Sequence, residues 1–308
     1  MDGSQESETV LRSGNAPAAA ADSRAVSLDD KYARFDGRVY LTGIQALVRL
    51  PILQKRRDRA AGLNTAGFIS GYRGSPLGGY DLALWGAKKH LVSHDIHFQP
   101  GTNEDLAATA VWGSQQVGLL PKPKFDGVFG LWYGKGPGVD RSGDVLKHAS
   151  YQGTSQHGGA IALCGDDHGA RSSTLAHQSD IALIHFGMPV FNPATVEELV
   201  SYGLAAWSAS RYSGAWIGMK ALTDTVEGGA SIPADMDRLA FALPTDFELP
   251  PEGLNLRARN GSALEVEARH YEQRHVALQA WVRANGLDRL AWGGARHNRL
   301  GIVSTGKA

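Results

Sequence analysis

Residues 66–79 have the sequence AGFISGYRGSPLGG, an apolar run that enters a glycine-rich turn. Residues 66–70 carry no charged side chain and do not alternate between apolar and polar types. A short continuous apolar run of this kind is typical of a strand that is covered on both faces, as in a parallel sheet. The glycines that follow allow the backbone to turn sharply and to approach a ligand closely.

The same combination of apolar run and turn recurs along the chain. Further runs lie at residues 127–132, 160–164, 188–191 and 215–219, with helical patterns between them. One helical pattern has apolar residues at Leu106, Ala110, Gly113 and Val117; another has Val196, Leu199, Val200, Leu204 and Trp207 behind a Thr195–Glu198 capping box. Alternating strands and helices predict an α/β fold with an open, mostly parallel sheet flanked by helices.

Composition divides the chain into four parts. Residues 1–30 are rich in small and acidic residues and lack a secretory signal, so we expect a disordered tail on a cytoplasmic protein. Residues 31–230 form the predicted α/β domain. Residues 231–298 hold a proline-rich linker and a charged helix over 263–286. Residues 299–308 predict a strand that enters a turn, and we expect them to be the truncated start of a further domain.

Charge and cysteine content exclude several classes of protein. The formal net charge is zero, which argues against binding to nucleic acid or to an anionic membrane, and no apolar stretch is long enough for a membrane span. Cys164 is the single cysteine, so an iron–sulfur cluster on four cysteines cannot form within this chain. No metal site is predicted, because His90, His94 and His97 lack an acidic or cysteine partner.

Ligands of open parallel sheets bind beyond the carboxyl ends of the strands, which makes the loops at these ends the candidate sites. In the loop after residue 70, Arg73 and Ser75 could contact an anion, although a turn without a ligand stays an alternative. A nicotinamide-cofactor loop fits poorly, because the glycines lie at 71, 74, 78 and 79 and Pro76 interrupts the pattern.

Two readings of residues 99–105, QPGTNED, remain open. In the structural one, Thr102 caps the next helix, and Glu104 and Asp105 lie in its first turn, where acids meet the positive end of the helix dipole. In the functional one, Glu104 is a carboxyl group at a strand–helix junction that shares a proton with a ring nitrogen of a cofactor.

The last two loops concentrate polar and charged groups. Residues 132–140, WYGKGPGVD, form a shaped loop with Lys135 as its one cation. Residues 165–173, GDDHGARSS, bring Asp167, His168 and Arg171 to a place where a substrate could enter. A solvated loop stays the alternative for each.

Taken in order, four segments resemble the indolepyruvate ferredoxin oxidoreductase family and, more broadly, the pyrimidine-binding domain of pyruvate:ferredoxin oxidoreductases. The segments are GYRGSP (71–76), GTNEDLAATAVWGS (101–114), YGKGPG (133–138) and CGDDHGARSS (164–173). The resemblance runs from about Tyr40 to Lys220, and GIVSTGK (301–307) resembles the opening of that family's transketolase-C-like domain.

This resemblance implies a thiamine-diphosphate-binding fold of the pyrimidine type. Glu104 would be the acid that hydrogen-bonds the aminopyrimidine and promotes the tautomer that activates the cofactor. Residues implied at the cofactor are Ser75, Gly101, Asn103, Lys135 and Gly138. The charged residues of the loops, Arg73, Asp167, His168 and Arg171, are the candidates for contact with the substrate.

The implied reaction is oxidative decarboxylation of an aryl 2-oxoacid, with coenzyme A and ferredoxin receiving the acyl group and the electrons. No segment matches the family's G-D-G…N motif for magnesium and diphosphate. That site and the iron–sulfur clusters are therefore expected on another segment or a second subunit, in a dimer. The chain departs from the family at Arg73, where many relatives have proline, and at residues 174–180, TLAHQSD. A non-catalytic assembly or regulatory subunit remains an alternative, as does a nicotinamide-dependent dehydrogenase.

Overall fold

The computed structural model describes residues 26–171, 173–257, 261–293 and 299–307. Its strands are β1 Arg38–Thr42, β2 Thr65–Gly71, β3 Ile96–Phe98, β4 Gly127–Lys135, β5 Ala160–Asp166, β6 Val190–Phe191, β7 Ile217–Leu222 and β8 Gly229–Pro233. Its helices are α1 Asp30–Ala33, α2 Gly43–Ala60, α3 Tyr80–Gly86, α4 Lys88–Val92, α5 Glu104–Ser114, α6 Gly136–Arg141, α7 Gly143–Gln152, α8 Ser179–His185, α9 Val196–Ser213, α10 Thr223–Val226, α11 Ala263–Ala268 and α12 His275–Ala284. Short 3₁₀ turns lie at Val117–Leu119 and Met236–Arg238, and a π-helical turn, Arg269–Arg274, joins α11 to α12.

Six strands form one sheet in the order β3-β2-β4-β5-β7-β6, and every neighbouring pair in it is parallel. The predicted α/β fold with an open parallel sheet is therefore confirmed. β1 and β8 form a separate antiparallel pair that was not predicted. Because β8 continues to Pro233, it crosses the domain boundary expected at residue 230.

The two faces of the sheet are covered by different helices. On one face, α2 and α9 bury large aliphatic and aromatic side chains such as Leu50, Leu204 and Trp207. On the other face, α5 to α8 form a smaller cluster that includes Ala107, Val139 and Leu183. Both faces are thus covered, which explains why β2, β4 and β5 are continuous apolar runs.

Two details of α5 correct the sequence-based expectation. The cap of α5 is Asn103, whose side chain accepts a hydrogen bond from the Leu106 amide at 2.9 Å, so the prediction of Thr102 as the cap is wrong. The predicted apolar face is also wrong, because Leu106 is 56% exposed while Ala107, Ala108 and Val111 are buried. Alanines pack closer to the sheet than leucine could, which brings the start of α5 near β4.

Helix α9 agrees better with its pattern. The five apolar residues predicted for its inner face are all buried. Thr195 accepts a hydrogen bond from the Glu198 amide at 3.1 Å, as a capping box requires. The Glu198 carboxylate accepts from the Ala194 amide at 2.7 Å instead of the Thr195 amide, so only half of the predicted box is formed.

The C-terminal part of the chain is partly as predicted. Helical structure over 263–284 confirms the charged helix, with the π-helical turn in its middle. The strand predicted near residue 300 is wrong, since residues 299–305 have no regular secondary structure and Ile302 and Val303 are 85% and 95% exposed. The expected tail lies outside the described residues as far as residue 25. Among the described helices, none has the length and apolar character needed to cross a membrane.

Candidate functional site

The carboxyl ends of the central strands meet at one edge of the sheet. β2, β4, β5 and β7 are neighbours and end at Gly71, Lys135, Asp166 and Leu222. The glycine-rich loop after β2, the start of α5 and the loops after β4 and β5 therefore gather there. This carboxyl edge is the place where ligands of open parallel sheets bind.

Glu104 is the first residue of α5 and lies at this edge, only 8% exposed. Its carboxyl group lies against Gly138 of α6: a Cβ atom added at Gly138 would be 2.6 Å from the Glu104 Cγ and 2.8 Å from its Oε1. The Trp132 indole N–H donates a hydrogen bond to the Glu104 main-chain carbonyl at 3.0 Å. Only glycine at position 138 leaves room for this carboxyl group, and Trp132 fixes the main chain that carries it.

Asp105, the next residue, has a different environment. Its carboxylate accepts hydrogen bonds from Arg141 Nε at 3.2 Å and from the Ser142 hydroxyl at 3.3 Å, and both side chains of the Arg141–Asp105 pair are well exposed. Two adjacent acids in one helical turn thus divide between a buried position against glycine and a surface ion pair. Glu104 contacts α6, and Asp105 contacts α6 and the residue after it. These contacts hold α5 and α6 together at the carboxyl edge.

Lys135 ends β4 and precedes α6, with its aliphatic chain across the glycine-rich loop. A Cβ atom at Gly74 would be 2.7 Å from the Lys135 Cδ. Pro76 and Leu77 of the same loop lie over Gly165, where a Cβ atom would be 3.0 Å from each. The loop that carries Ser75 therefore covers the ends of β4 and β5.

A buried cation lies further along the edge, on β7. Lys220 is 3% exposed, and its Nζ lies 3.5 Å from the Asp166 carboxylate and 3.4 Å from that of Asp180. Asp166 also accepts hydrogen bonds from the Ser179 amide at 2.9 Å and the Ser179 hydroxyl at 2.5 Å, which fixes the start of α8. The exposed His168 lies with its Nε2 3.5 Å from the Lys220 Nζ; because an ammonium only donates, that nitrogen is the acceptor.

Cys164 lies beside Lys220 in the β5–β7 register and is fully buried. Burial raises the pKa of the Cys164 thiol well above its ordinary value, and the Asp166 charge adds to this effect while Lys220 opposes it. The thiol therefore stays protonated and unreactive.

The structure brings together most of the residues predicted for the cofactor. Glu104 meets Gly138, Asn103 caps the helix that begins with Glu104, and the Gly101 amide donates to the Gly71 carbonyl at 2.8 Å. Lys135 ends β4, and its side chain packs on Gly74, the residue before Ser75.

The residues predicted for the substrate are more scattered. Asp167 is buried and His168 contacts Lys220. Arg73 is exposed, and Arg171 lies on the surface 3.9 Å from Glu227.

Sequence reasoning missed Lys220 and His177. Lys220 is a single lysine inside the apolar run IGMKAL, and an isolated cation in a buried strand requires an acidic partner close by. That requirement was a usable signal, since Asp166 ends the neighbouring strand. No comparable signal marked His177, whose ring lies against Gly136 through a contact between distant segments.

No protein-family model matches the chain, and no curated protein matches it. Among solved structures, a 2-oxoglutarate:ferredoxin oxidoreductase from Magnetococcus marinus, with 2-oxoglutarate, coenzyme A and succinyl-CoA bound, is similar to the chain with a TM-score of 0.58 and 14% sequence identity. The similarity covers 79% of this chain and 46% of that one, so this chain spans less than half of that structure's length. At this identity the likeness shows the fold, which is the one expected from the sequence.

Proposed function

We propose that this chain is the pyrimidine-binding part of a thiamine-diphosphate-dependent 2-oxoacid:ferredoxin oxidoreductase, with Glu104 as the acid that relays a proton. The observation that carries the proposal is the burial of the Glu104 carboxyl group against Gly138 at the carboxyl edge of the sheet. The order of the four sequence motifs and the fold shared with a 2-oxoglutarate:ferredoxin oxidoreductase support it.

The residues at this edge fit an aminopyrimidine. A carboxyl group can donate or accept a hydrogen bond at a ring nitrogen, and Glu104 is held where bulk water has little access. Glycine at positions 134 and 138 leaves the space that the Trp132 indole and the Glu104 carboxyl group occupy, so the acid is held at the edge of the sheet. Lys135, which ends β4, and Ser75, in the loop that covers this end, supply further polar groups at the carboxyl edge.

Thiamine diphosphate, when bound, supplies the electron sink for the decarboxylation of a 2-oxoacid. The task of this chain is to place a proton donor and acceptor. Low exposure favours proton exchange between Glu104 Oε and a bound ring over exchange with solvent. Asn103 holds the first turn of α5 through its cap, and Trp132 holds the Glu104 carbonyl, so the carboxyl group is positioned before a ligand arrives.

Three finer parts of the proposal rest on the resemblance. The substrate is an aryl 2-oxoacid of the indolepyruvate type, with Arg73, Asp167, His168 and Arg171 on its side of the site. Coenzyme A and ferredoxin receive the acyl group and the electrons. A second half, carrying the magnesium, diphosphate and iron–sulfur sites, completes the active site in a dimer.

The substrate assignment has a direct test. The assembled enzyme is supplied with indolepyruvate, pyruvate or 2-oxoglutarate, and ferredoxin reduction is followed in the presence of coenzyme A. We expect the highest kcat/KM with indolepyruvate. A higher value with 2-oxoglutarate, the ligand of the similar solved structure, would reject the aryl assignment and leave the reaction class in place.

The reaction class is tested by Glu104→Gln, which keeps the shape of the side chain and removes its acidity. We expect turnover of the assembled enzyme to fall by roughly 10²-fold or more, the scale of general acid–base catalysis. Glu197→Gln is the matched control, since Glu197 is also a first-turn acid but is exposed on α9. Equal turnover in the Glu104→Gln and Glu197→Gln enzymes would favour the non-catalytic subunit.

A further inference from the structure

Helix α6 lies between two acid–base side chains that come from different segments. On one side, the Glu104 carboxyl group lies against Gly138. On the other, the His177 ring lies against Gly136, so closely that a Cβ atom at Gly136 would overlap the imidazole. Residues two apart in a helix are separated by roughly 200° around its axis, which places these contacts on opposite sides of α6.

Other contacts hold α6 in the same arrangement. On the Glu104 side, Arg141 pairs with Asp105 at 3.2 Å. On the far side, the His177 Nδ1 lies 3.8 Å from the Asp140 carboxylate. Each side of this short helix thus has one close contact at a glycine and one contact between ionisable side chains near its end.

His177 is itself fixed by the residues that follow it. Ser179 donates two hydrogen bonds to Asp166, and Asp180 lies 3.4 Å from Lys220. The His177 side chain is 21% exposed, so most of its surface is packed. The ring is therefore held against α6 from a rigid anchor at the ends of β5 and β7.

We infer that His177 is a positioning residue for Glu104: its ring fills the space behind Gly136 and thereby holds Gly138 against the Glu104 carboxyl group. Because Gly136 has no side chain, nothing else on α6 occupies this space. Loss of the ring leaves a gap on one side of α6 and allows the helix to move away from Glu104. The catalytic consequence of this movement rests on the proposed function, whereas the movement itself does not.

The first test needs no cofactor. The Trp132 indole N–H donates to the Glu104 carbonyl, so its ¹H–¹⁵N resonance reports on the start of α5, the surface that α6 packs against. The Trp207 indole donates to the Gly130 carbonyl on the same strand at 3.0 Å and is the internal control. We expect His177→Ala to shift the Trp132 resonance and leave that of Trp207 in place.

Three further variants define the cause. His177→Phe keeps a ring against Gly136 and is expected to restore the Trp132 resonance, whereas Asp140→Asn, which keeps the imidazole, is expected to change it little. His185→Ala removes an exposed imidazole from the last turn of α8 and is expected to have no effect. If the His177→Ala chain does not fold, His177→Gln replaces it, with a smaller shift expected. An unmoved Trp132 resonance, or an equal shift in His177→Phe and His177→Ala, overturns the inference.

The second test uses the assembled enzyme. A small displacement of a positioned proton donor lowers kcat, so we expect His177→Ala to lose roughly 10- to 100-fold in kcat with little change in the KM of the 2-oxoacid, and His177→Phe to recover most of it. A rise in KM with unchanged kcat would contradict the positioning role. If the Trp132 resonance moves in His177→Ala but Glu104→Gln keeps full turnover, the proposed function fails and the positioning of Glu104 stands.

Discussion

Two ion pairs, each with a buried carboxylate, lie at opposite ends of the parallel sheet and are built differently. At the amino end, before β2 and β5 begin, Arg211 donates to both carboxylate oxygens of Asp58 at 2.6 and 2.8 Å. At the carboxyl end, Lys220 lies 3.5 Å from Asp166 and 3.4 Å from Asp180. The first pair is short and bidentate, while the second is longer and shared.

The two pairs also differ in how fully their carboxylates are hydrogen-bonded and in their access to solvent. Asp58 also accepts hydrogen bonds from the Thr65 hydroxyl at 2.6 Å and the Gln54 amide at 2.8 Å, which saturates its carboxylate. Lys220, Asp166, Asp180 and His168 form what we call the Lys220 cluster, and this cluster is accessible to solvent at His168. The pair at the amino end is thus fully hydrogen-bonded within the protein and has a structural role. The carboxyl end keeps polar groups within reach of a ligand, as expected for the ligand-binding edge of such a sheet.

The sharpest test of this difference is Arg211→Met, which leaves Asp58 buried without its cation. We expect the free energy of unfolding to fall by about 4–5 kcal/mol, the upper range for removing one partner of a buried pair. Urea denaturation followed by circular dichroism measures the change. Turnover of the molecules that remain folded should be unchanged, because the amino end contributes nothing to the site.

The control for Arg211→Met is Arg283→Met, which removes an equally short pair with Asp246 whose side chains are both more than half exposed. The change in stability there should be much smaller, since solvent screens exposed pairs. Similar losses in the two variants would mean that burial of Asp58 does not matter. A selective loss of turnover in Arg211→Met would remove the distinction between the two ends.

A smaller stability effect and a larger functional one are expected from Lys220→Met. Three groups share this ammonium at 3.4–3.5 Å, so we expect a loss of about 3 kcal/mol, the lower range for a broken buried pair. Turnover should fall as well, because Asp166 and Ser179 anchor the segment that carries His177. Urea denaturation and steady-state kinetics of the assembled enzyme measure the two effects.

Lys220→Arg serves as the conservative variant for Lys220→Met. The guanidinium keeps the charge near Asp166 and Asp180, so stability should largely return. If Lys220→Met lost stability with full turnover in the folded fraction, the Lys220 cluster would be structural in the same way as the Asp58–Arg211 pair. Nothing in these variants would then distinguish the carboxyl end from the amino end as a functional site.

The fold was predictable where local pattern determines it. β2, β4, β5 and β7 lie in apolar runs of the sequence, and the face of α9 follows from its helical period. β1 and β8 were missed because a two-stranded antiparallel pair depends on residues almost 200 positions apart. β3 was missed because three residues are too short for a periodic signal.

The candidate site was predictable only in its residue types. Glu104 and Lys135 were identified from their place after strands and from a family resemblance. The contacts that give them their environment, Gly138 with Glu104 and Gly136 with His177, join segments 34 and 41 residues apart in the sequence. Tertiary packing alone decides whether an acid in the first turn of a helix is a surface residue like Asp105 or a buried one like Glu104.

The smallest expected effect is a loss of stability at low pH, which we expect to depend on His270 and not on His168. His270 is fully buried, and its Nε2 donates to the Gly187 carbonyl at 2.9 Å. Burial lowers the pKa of His270 from 6.5 to about 3, and the charges of His275 and Arg274 add to the effect. Between pH 6.5 and 3 the unfolded chain therefore binds a proton at His270 that the folded chain does not, so stability falls as the pH is lowered.

We expect this linkage to cost about 2 kcal/mol between pH 6.5 and 5, on the basis of an ordinary pKa in the unfolded chain. Urea denaturation at a series of pH values measures it. His270→Gln keeps a donor for the Gly187 carbonyl and removes the titration, so this part of the acid dependence should disappear. His168→Gln should leave the acid dependence as it is, because the His168 side chain is exposed and lacks the burial that acts on His270. If His168→Gln abolished the acid dependence instead, the loss of stability at low pH would arise at the carboxyl edge. The solvent access of that edge would then lower stability in acid, which the Asp58–Arg211 pair at the amino end does not do.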